Sequence, residues 1–433
     1  MPMLVAFQIE WNKLHDLLDD PRLADALATA DVDALPLTRE VGLKLQTIWG
    51  ERCGARLRAV AQHKKRFGLR MLGGSLIDYE RATLRWWLNV EEHLPNIVFR
   101  QRPIYFVSSN THSLINLFSG FALQNRSELV AYLHAQQHSG LINEYEKILA
   151  EEVPSSLENF LYYVQKKYQA DPASADYFAR RAAVEHQLGL HRVPSRFYVD
   201  VDTQVFELNK LDPQRLDPRI VMPGVERLGE SAALVVNIDY PLGLAAYHIL
   251  KLVARSVREI RGAYIIGKAA TLNGKIGDVL IPNVVYDEHT DNIYNFVPAF
   301  SAADIAPYLA HGSVLDNQKA MTSRGTFLQN AAYLDALYRD FFTDVEMEAG
   351  PYLNAIYEQT IAERYPTSEH ISLLRPPYDL GFLHYASDTP YSKGMNLGAR
   401  NLSYFGMDPT YATSLAAARR IVAQEIYRME RGV

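Results

Sequence analysis

The sequence predicts an α/β protein, with a largely parallel sheet in its second half and a mainly helical first half. Three observations carry that expectation. Between residues 230 and 433, short apolar runs of strand type alternate with stretches of helical spacing, the pattern of a sheet whose crossovers are helices. Before residue 190, helical spacing dominates. At 433 residues, 48% hydrophobic and 22% charged, the chain is long and apolar enough for two or three ordinary cores. The expected division is 1–190 and 191–433.

The elements follow in order. "WNKLHDLLDDPRLADALATA" and "RATLRWWLNVEEHL" repeat apolar residues at three- and four-residue spacing, with Trp86 and Trp87 expected in the core. "HKKRF", 63–67, reads as a solvated helix face. "PIYFV", 103–107, is a β-favouring run; the polar "SSNTHS" follows, then helical "LINLFSGFAL", a strand–loop–helix unit over 103–123. Residues 125–190 are helical, with Ser155 or Ser156 as an N-cap. "SRFYVDVDTQVFEL" alternates like a half-buried strand. "AALVVNI" is a buried-type strand, "LGLAAYHILKLVARSV" a helix, and "GAYIIG" and "GDVLIPNVVYD" further strands. In "DVEMEAG", 344–350, an acidic pair falls between elements, and Pro351 suits the first turn of a new helix.

Charge and composition exclude several functions. A formal charge of −6 disfavours a nucleic-acid binder. The single cysteine, Cys53, rules out an intrachain disulfide framework and a cysteine-rich metal site. The absence of HExxH and the scatter of histidines predict no metal. No apolar run is long enough to span a membrane, and no signal-peptide pattern opens the chain, so a cytoplasmic protein is expected. No GxGxxG follows a strand, which sets aside a dinucleotide-dependent oxidoreductase.

In open α/β sheets ligands sit beyond the carboxyl ends of the strands. Four segments answer that description: "DYPLGL", "GKAATLNGKIGD", "AMTSRGTFLQN" and "SDTPYSKG". "GKAAT" lacks the spacing of a P-loop, although its small residues let a ligand approach the backbone and Lys268 can meet an anion. In "SSNTHS", a capped turn competes with an anion site for a 5′-phosphate or a regulator.

The order "LVVNI", "IIGKAATLNGKIGDVLIP", "MTSRGTF", "DVEMEAG", "YASDTP" resembles the nucleoside phosphorylase superfamily over roughly 230–433. Within it, "LVVNI" and "SDTPYSKGMNLGARNLSYF" are most similar to the AMP nucleosidases, which also carry a helical domain ahead of the catalytic one. The resemblance implies a three-layer α/β/α catalytic domain behind a mainly helical N-terminal α/β domain. It implies cleavage of a purine N-glycosidic bond, with Met347 packed on the ribose and Glu348 accepting hydrogen bonds from its 2′- and 3′-hydroxyls. A carboxylate there favours the positive charge of an oxocarbenium-like transition state. Asp388 is the expected acid to purine N7, a task that calls for a raised pKa; Ser387 positions it and Phe327 stacks on the base.

The sequence departs from the family where phosphate would bind. Lys268 and Thr271 stand where a small residue and a glycine are usual, and no arginine immediately precedes Gly267. Gly267, Lys268, Thr271 and Arg324 remain the phosphate-binding candidates. Glu348 and Asp388 lie further apart than usual, and 365–380 reads as an insertion able to line or cover the pocket. Hydrolysis is favoured; a phosphate-dependent purine nucleoside phosphorylase and a non-catalytic purine nucleotide-binding regulator are the alternatives. No cofactor is implied. The expected partners are a purine nucleoside or nucleotide, phosphate in the phosphorolytic case, and copies of the same chain in a dimer or hexamer.

Overall fold

The computed structural model describes residues 2–29, 31–67, 76–196, 199–325, 331–361, 364–389 and 404–432. The chain forms two compact units, Met1–Gly74 and Ser75–Val433. Among the described residues no helix is long and apolar enough to cross a membrane.

Among the described residues, the first unit holds four α-helices, α1 (Pro2–Leu18), α2 (Ala24–Thr29), α3 (Arg39–Trp49) and α4 (Cys53–Gln62). Trp11, Leu18, Leu27, Val32, Cys53, Leu57 and Val60 form its core. Thr38 starts α3 by accepting the Val41 N–H. The expected helix face at 63–67 is not helical, because α4 ends at Gln62. There the Asn12 side chain accepts the Lys65 N–H at 2.7 Å and donates to the Lys65 carbonyl at 3.0 Å. The Lys65 ammonium lies 4.5 Å from the centre of the Trp11 ring.

The second unit is built on eleven strands: β1 (Pro103–Ser108), β2 (Leu190–Val193), β3 (Thr203–Glu207), β4 (Leu234–Ile238), β5 (Glu259–Thr271), β6 (Val279–Asp287), β7 (Asn292–Phe296), β8 (Val314–Thr322), β9 (Asp344–Glu346), β10 (His370–Leu373) and β11 (Asp379–Asp388). Their order is β10-β7-β6-β8-β9-β5-β1-β4-β3-β2, with β11 paired to both β5 and β6. The parallel centre is β4-β1-β5-β11. Because β11 also meets β6, strands β5, β9, β8, β6 and β11 close into a ring.

The helices are α5 (Leu76–His93), α6 (Ser113–Ser119), α7 (Phe121–Gln124), α8 (Arg126–Ala135), α9 (Ser139–Leu149), α10 (Leu157–Tyr168), α11 (Ala175–Gln187), α12 (Ala245–Ser256), α13 (Ala302–Ile305), α14 (Ala331–Arg339), α15 (Ala349–Thr360) and α16 (Tyr404–Arg431). Both sheet faces are covered, and strand alternation shows how. Tyr105 and Val107 of β1 join a core with α6, α10 and α16, while Ile104 and Phe106 join one with α5, α12 and α15. Burying one such apolar side chain contributes about 1.5–3 kcal/mol. Trp86 and Trp87 lie in the second core, as their spacing predicts. Ser156 caps α10 by accepting the Asn159 N–H at 3.2 Å.

Three expectations are corrected. The chain divides after Gly74 and not near 190, because β1 is a central strand with β4 on one edge and β5 on the other. Helices α6 to α11 are therefore an insertion between β1 and β2. Among the described residues, the strand expected across 195–208 spans Thr203–Glu207 and is wholly buried, since β2 and β4 pair with both of its edges. Residues 365–380, expected as an insertion over the pocket, supply β10, an edge strand against β7.

Candidate active site

The parallel strands β1, β4, β5 and β11 bring their carboxyl ends to one side of the sheet. Ser108 closes β1 opposite Ile238 of β4 and Ile265 of β5. Ala270 of β5 has Asp388 of β11 on one edge and Val345 of β9 on the other. Two inter-strand spacings, about 10 Å, thus separate the strand of Asp388 from the strand leading into the Met347–Glu348 junction.

Asp388 is 4% exposed, and the Ser387 hydroxyl donates to it at 2.7 Å. Lys268 lies within charge reach of Asp388; burial holds its ammonium below the usual range, Asp388 opposes that, and Lys166 adds to it. Tyr240, just past β4, places its hydroxyl 3.1 Å from that of Tyr385.

At the acidic junction the two glutamates have different tasks. Glu346 is buried; it accepts the Thr322 hydroxyl and the backbone N–H groups of Glu348 at 2.6 Å and Ala349 at 2.8 Å, which satisfies the start of α15. Glu348 holds the N-cap position without using its side chain as a cap. Its carboxylate accepts a hydrogen bond from the Met347 backbone N–H. Burial and then the charge of Glu346 push Glu348 up to about 8, against the opposing effect of His384. His384 is itself buried and meets Asp344 Oδ2 at 2.5 Å through Nδ1. Burial works against its protonation, but Asp344, Glu346 and Glu348 outweigh it and raise its pKa.

This junction is tightly built. A Cβ on Gly350 would sit 2.4 Å from the Cβ of Asp287, so α15 approaches β6 only because residue 350 has no side chain. Tyr352, one turn further, is buried with Ser108 and Glu348 among its polar neighbours, which ties the junction to the end of β1.

The β1–α6 loop is a capped turn, but Asn110 performs the capping. Its Oδ1 accepts the N–H groups of His112 at 3.0 Å and Ser113 at 2.7 Å. Asn237, a fully buried amide within the apolar "LVVNI", accepts the Ser109 hydroxyl at 2.7 Å and donates to the Asn110 carbonyl at 3.1 Å.

The phosphate candidates are not brought together. Gly267 through Thr271 lie within β5 and not on a turn, because β11 pairs along this stretch as far as Ala270; the chain reverses only after Thr271. Gly267 faces open space, where a Cβ would meet only the Tyr240 ring at 3.9 Å. The Thr271 hydroxyl is committed to the turn, accepting the Gly274 N–H at 2.8 Å and donating to the Thr343 carbonyl at 3.3 Å. Arg324 is exposed beyond β8, with its backbone N–H on Glu288 at 2.8 Å. Met347 is half-buried beside Glu348, and Phe327 lies outside the described residues.

Among the described residues no group of three or more His, Cys, Asp or Glu side chains is arranged to hold a metal. His134 and His138, four residues apart, straddle the end of α8, and His138 packs edge-on against Tyr132 at 5.9 Å.

The missed residues are His384, Asp344, Asn237 and Tyr240. A polar residue inside an otherwise apolar strand is the signal that marks Asn237 and His384 in the sequence.

The chain matches the "Family of unknown function (DUF6909)" over residues 1–423. No curated protein matches it. Among solved structures it is similar to 5′-methylthioadenosine/S-adenosylhomocysteine nucleosidase from S. pneumoniae, at 11% identity and a TM-score of 0.35, over 58% of this chain and 96% of that one. It is similar to 5′-methylthioadenosine nucleosidase from Arabidopsis thaliana, at 10% identity and a TM-score of 0.34, over 57% of this chain and 91% of that one. It is also similar to uridine phosphorylase from Schistosoma mansoni, at 11% identity and a TM-score of 0.30, over 42% of this chain and 70% of that one.

Proposed function

The chain belongs to this family of unknown function (DUF6909), and we propose that it cleaves the N-glycosidic bond of a purine nucleoside or nucleotide in the manner of an AMP nucleosidase. One observation supports this reading above the others. A buried carboxyl, Asp388, closes β11, and a second carboxylate, Glu348, follows β9; the two strands flank β5 on opposite edges at the same end of the sheet. Glycosidic cleavage asks for such a pair, one group at the leaving base and one at the sugar.

In this mechanism the ribose lies on Met347, and ionised Glu348 accepts hydrogen bonds from the 2′- and 3′-hydroxyls. As the C1′–N9 bond breaks, positive charge grows on the sugar and negative charge on the base. Glu348 stabilises the first. Asp388, positioned by Ser387, passes a proton to N7 and relieves the second. Water supplies the hydroxyl at C1′, and its proton restores the Asp388 carboxyl.

Lys268 places a cation beside Asp388 and favours a second version in which phosphate is the nucleophile. The test is release of free base from AMP, adenosine, inosine, guanosine and methylthioadenosine, with and without phosphate, followed by chromatography. Release from AMP without phosphate supports the nucleosidase, and release only with phosphate the phosphorylase. Binding without release supports a regulatory nucleotide-binding protein.

A further inference from the structure

The helical insertion between β1 and β2 does more than cover the sheet. Between it and the β1–α6 loop lies a cavity of about 510 Å³, lined among others by Thr111, His112, Lys166, Arg181, Glu185 and Arg192. Lys166 comes from α10, Arg181 and Glu185 from α11, and Arg192 from β2.

The charges are arranged, not merely clustered. Glu185 is buried and spends its carboxylate on the two guanidiniums, with Arg181 at 2.7 Å and Arg192 at 2.8 and 2.9 Å. Arg181 is anchored again by Asn116 Oδ1 at 3.0 Å. One carboxylate thus fixes two cations and neutralises one. Lys166, at the mouth, has no ion-pair or hydrogen-bond partner among the described residues. The lining keeps a surplus of two positive charges on a chain whose formal charge is −6. His112 reports that field: burial, then Lys166, Arg181, Lys268 and Arg192, hold its imidazole down to about 3. Lys268 is also within charge reach of Asp388, so the cavity adjoins the candidate active site.

We infer that this cavity receives the phosphate group of the ligand, with Lys166, Arg181 and Arg192 as its cationic walls. The group is either the 5′-phosphate of a nucleotide or free inorganic phosphate. Anion binding stands on the cavity alone; its link to a sugar and a base rests on the proposed function. Guanidiniums already oriented by Glu185 lose little freedom on meeting phosphate, and the unpaired ammonium gains a partner.

The experiment uses the full chain and its Lys166→Ala variant, whose change lies at an exposed rim. Calorimetric titration with AMP, adenosine and inorganic phosphate is combined with base-release assays. If the 5′-phosphate is the occupant, Lys166→Ala weakens AMP at least tenfold and leaves adenosine within twofold. If free phosphate is the occupant, the variant weakens inorganic phosphate and raises the phosphate requirement of adenosine cleavage by a similar factor. Phosphate binding lost in the variant of a protein that cleaves no nucleoside or nucleotide keeps the cavity assignment and removes the glycosidic reading. AMP and inorganic phosphate binding the variant as they bind the native protein, or neither binding the native protein, overturns the assignment. A ring-proton titration of His112 gives a second readout: an occupying phosphate lifts its pKa well above 3 in the native protein.

Discussion

The acidic junction at 344–348 and the cationic cavity of the helical insertion handle charge in opposite ways. At the junction, Asp344 pairs with His384 and Glu346 serves the start of α15, while Glu348 does neither. In the cavity, a single carboxylate orients two guanidiniums and the surplus stays positive. Burial raises the pKa of both Glu346 and Glu348, but only Glu348 is spared from capping the helix, which suits it to chemistry. The cavity retains net charge, a feature suited to holding an ion. The lesson is that partnering inside a cluster, more than its composition, decides what remains for a ligand.

Asp388→Asn breaks the reaction at the largest expected cost. Base release should fall about 10³-fold, near 4 kcal/mol, while phosphate binding to the cavity is unchanged. Near-normal turnover would remove Asp388 from proton transfer. Asp344→Asn comes next, leaving His384 buried without its anionic partner. Loss of one member of a buried pair costs about 3 kcal/mol, read as a lower denaturant midpoint. An unchanged midpoint would mean that the dyad contributes nothing to the fold.

Glu348→Gln should lower kcat about 10²-fold, near 2.7 kcal/mol, with little change in KM. It also carries two pH signatures. In the native protein the proposed reaction's kcat/KM should rise with pH up to about 8 as Glu348 ionises, and this limb should vanish in the variant. A carboxyl raised in the folded state binds its proton more tightly there than when unfolded. Its contribution to stability is therefore complete below about 4.5 and is lost as pH climbs to about 8. Melting temperatures at pH 5 and pH 9 should accordingly diverge less in Glu348→Gln than in the native chain. Gly350→Ala is expected to have the smallest effect, about 2 kcal/mol of overpacking against Asp287. It should loosen the junction and spare the cavity, so equal damage to both would show that the two regions are coupled.

The junction was legible in the sequence because its residues are consecutive, and Met-Glu before a helix is a local pattern. The alternation of strands and helices after 230 was legible for the same reason, as period and composition are local properties. The central place of β1 was not. "PIYFV" reads as a buried strand wherever it sits, and only pairing with residues 234–238 and 259–265 assigns it to the middle of the sheet. The cavity was hidden similarly. Lys166, Arg181 and Arg192 each look like a solvated charge in the sequence, and three separate elements bring them to one wall. Strand β5 misled in the other direction. Gly267 and two alanines read as a segment beyond a strand end, yet pairing with β11 keeps them inside β5.

The closed ring of five strands has a temporal side. Its last member, β11, follows β5, β6, β8 and β9 in the chain, so one edge of the long β5 stays open until β11 is made. An open edge of apolar strand invites pairing with other chains. Loop-closure entropy also makes so distant a pairing slow. A chain that folds as it is made leaves that border uncovered until "LGFLHYASD" arrives, and the same segment carries Asp388.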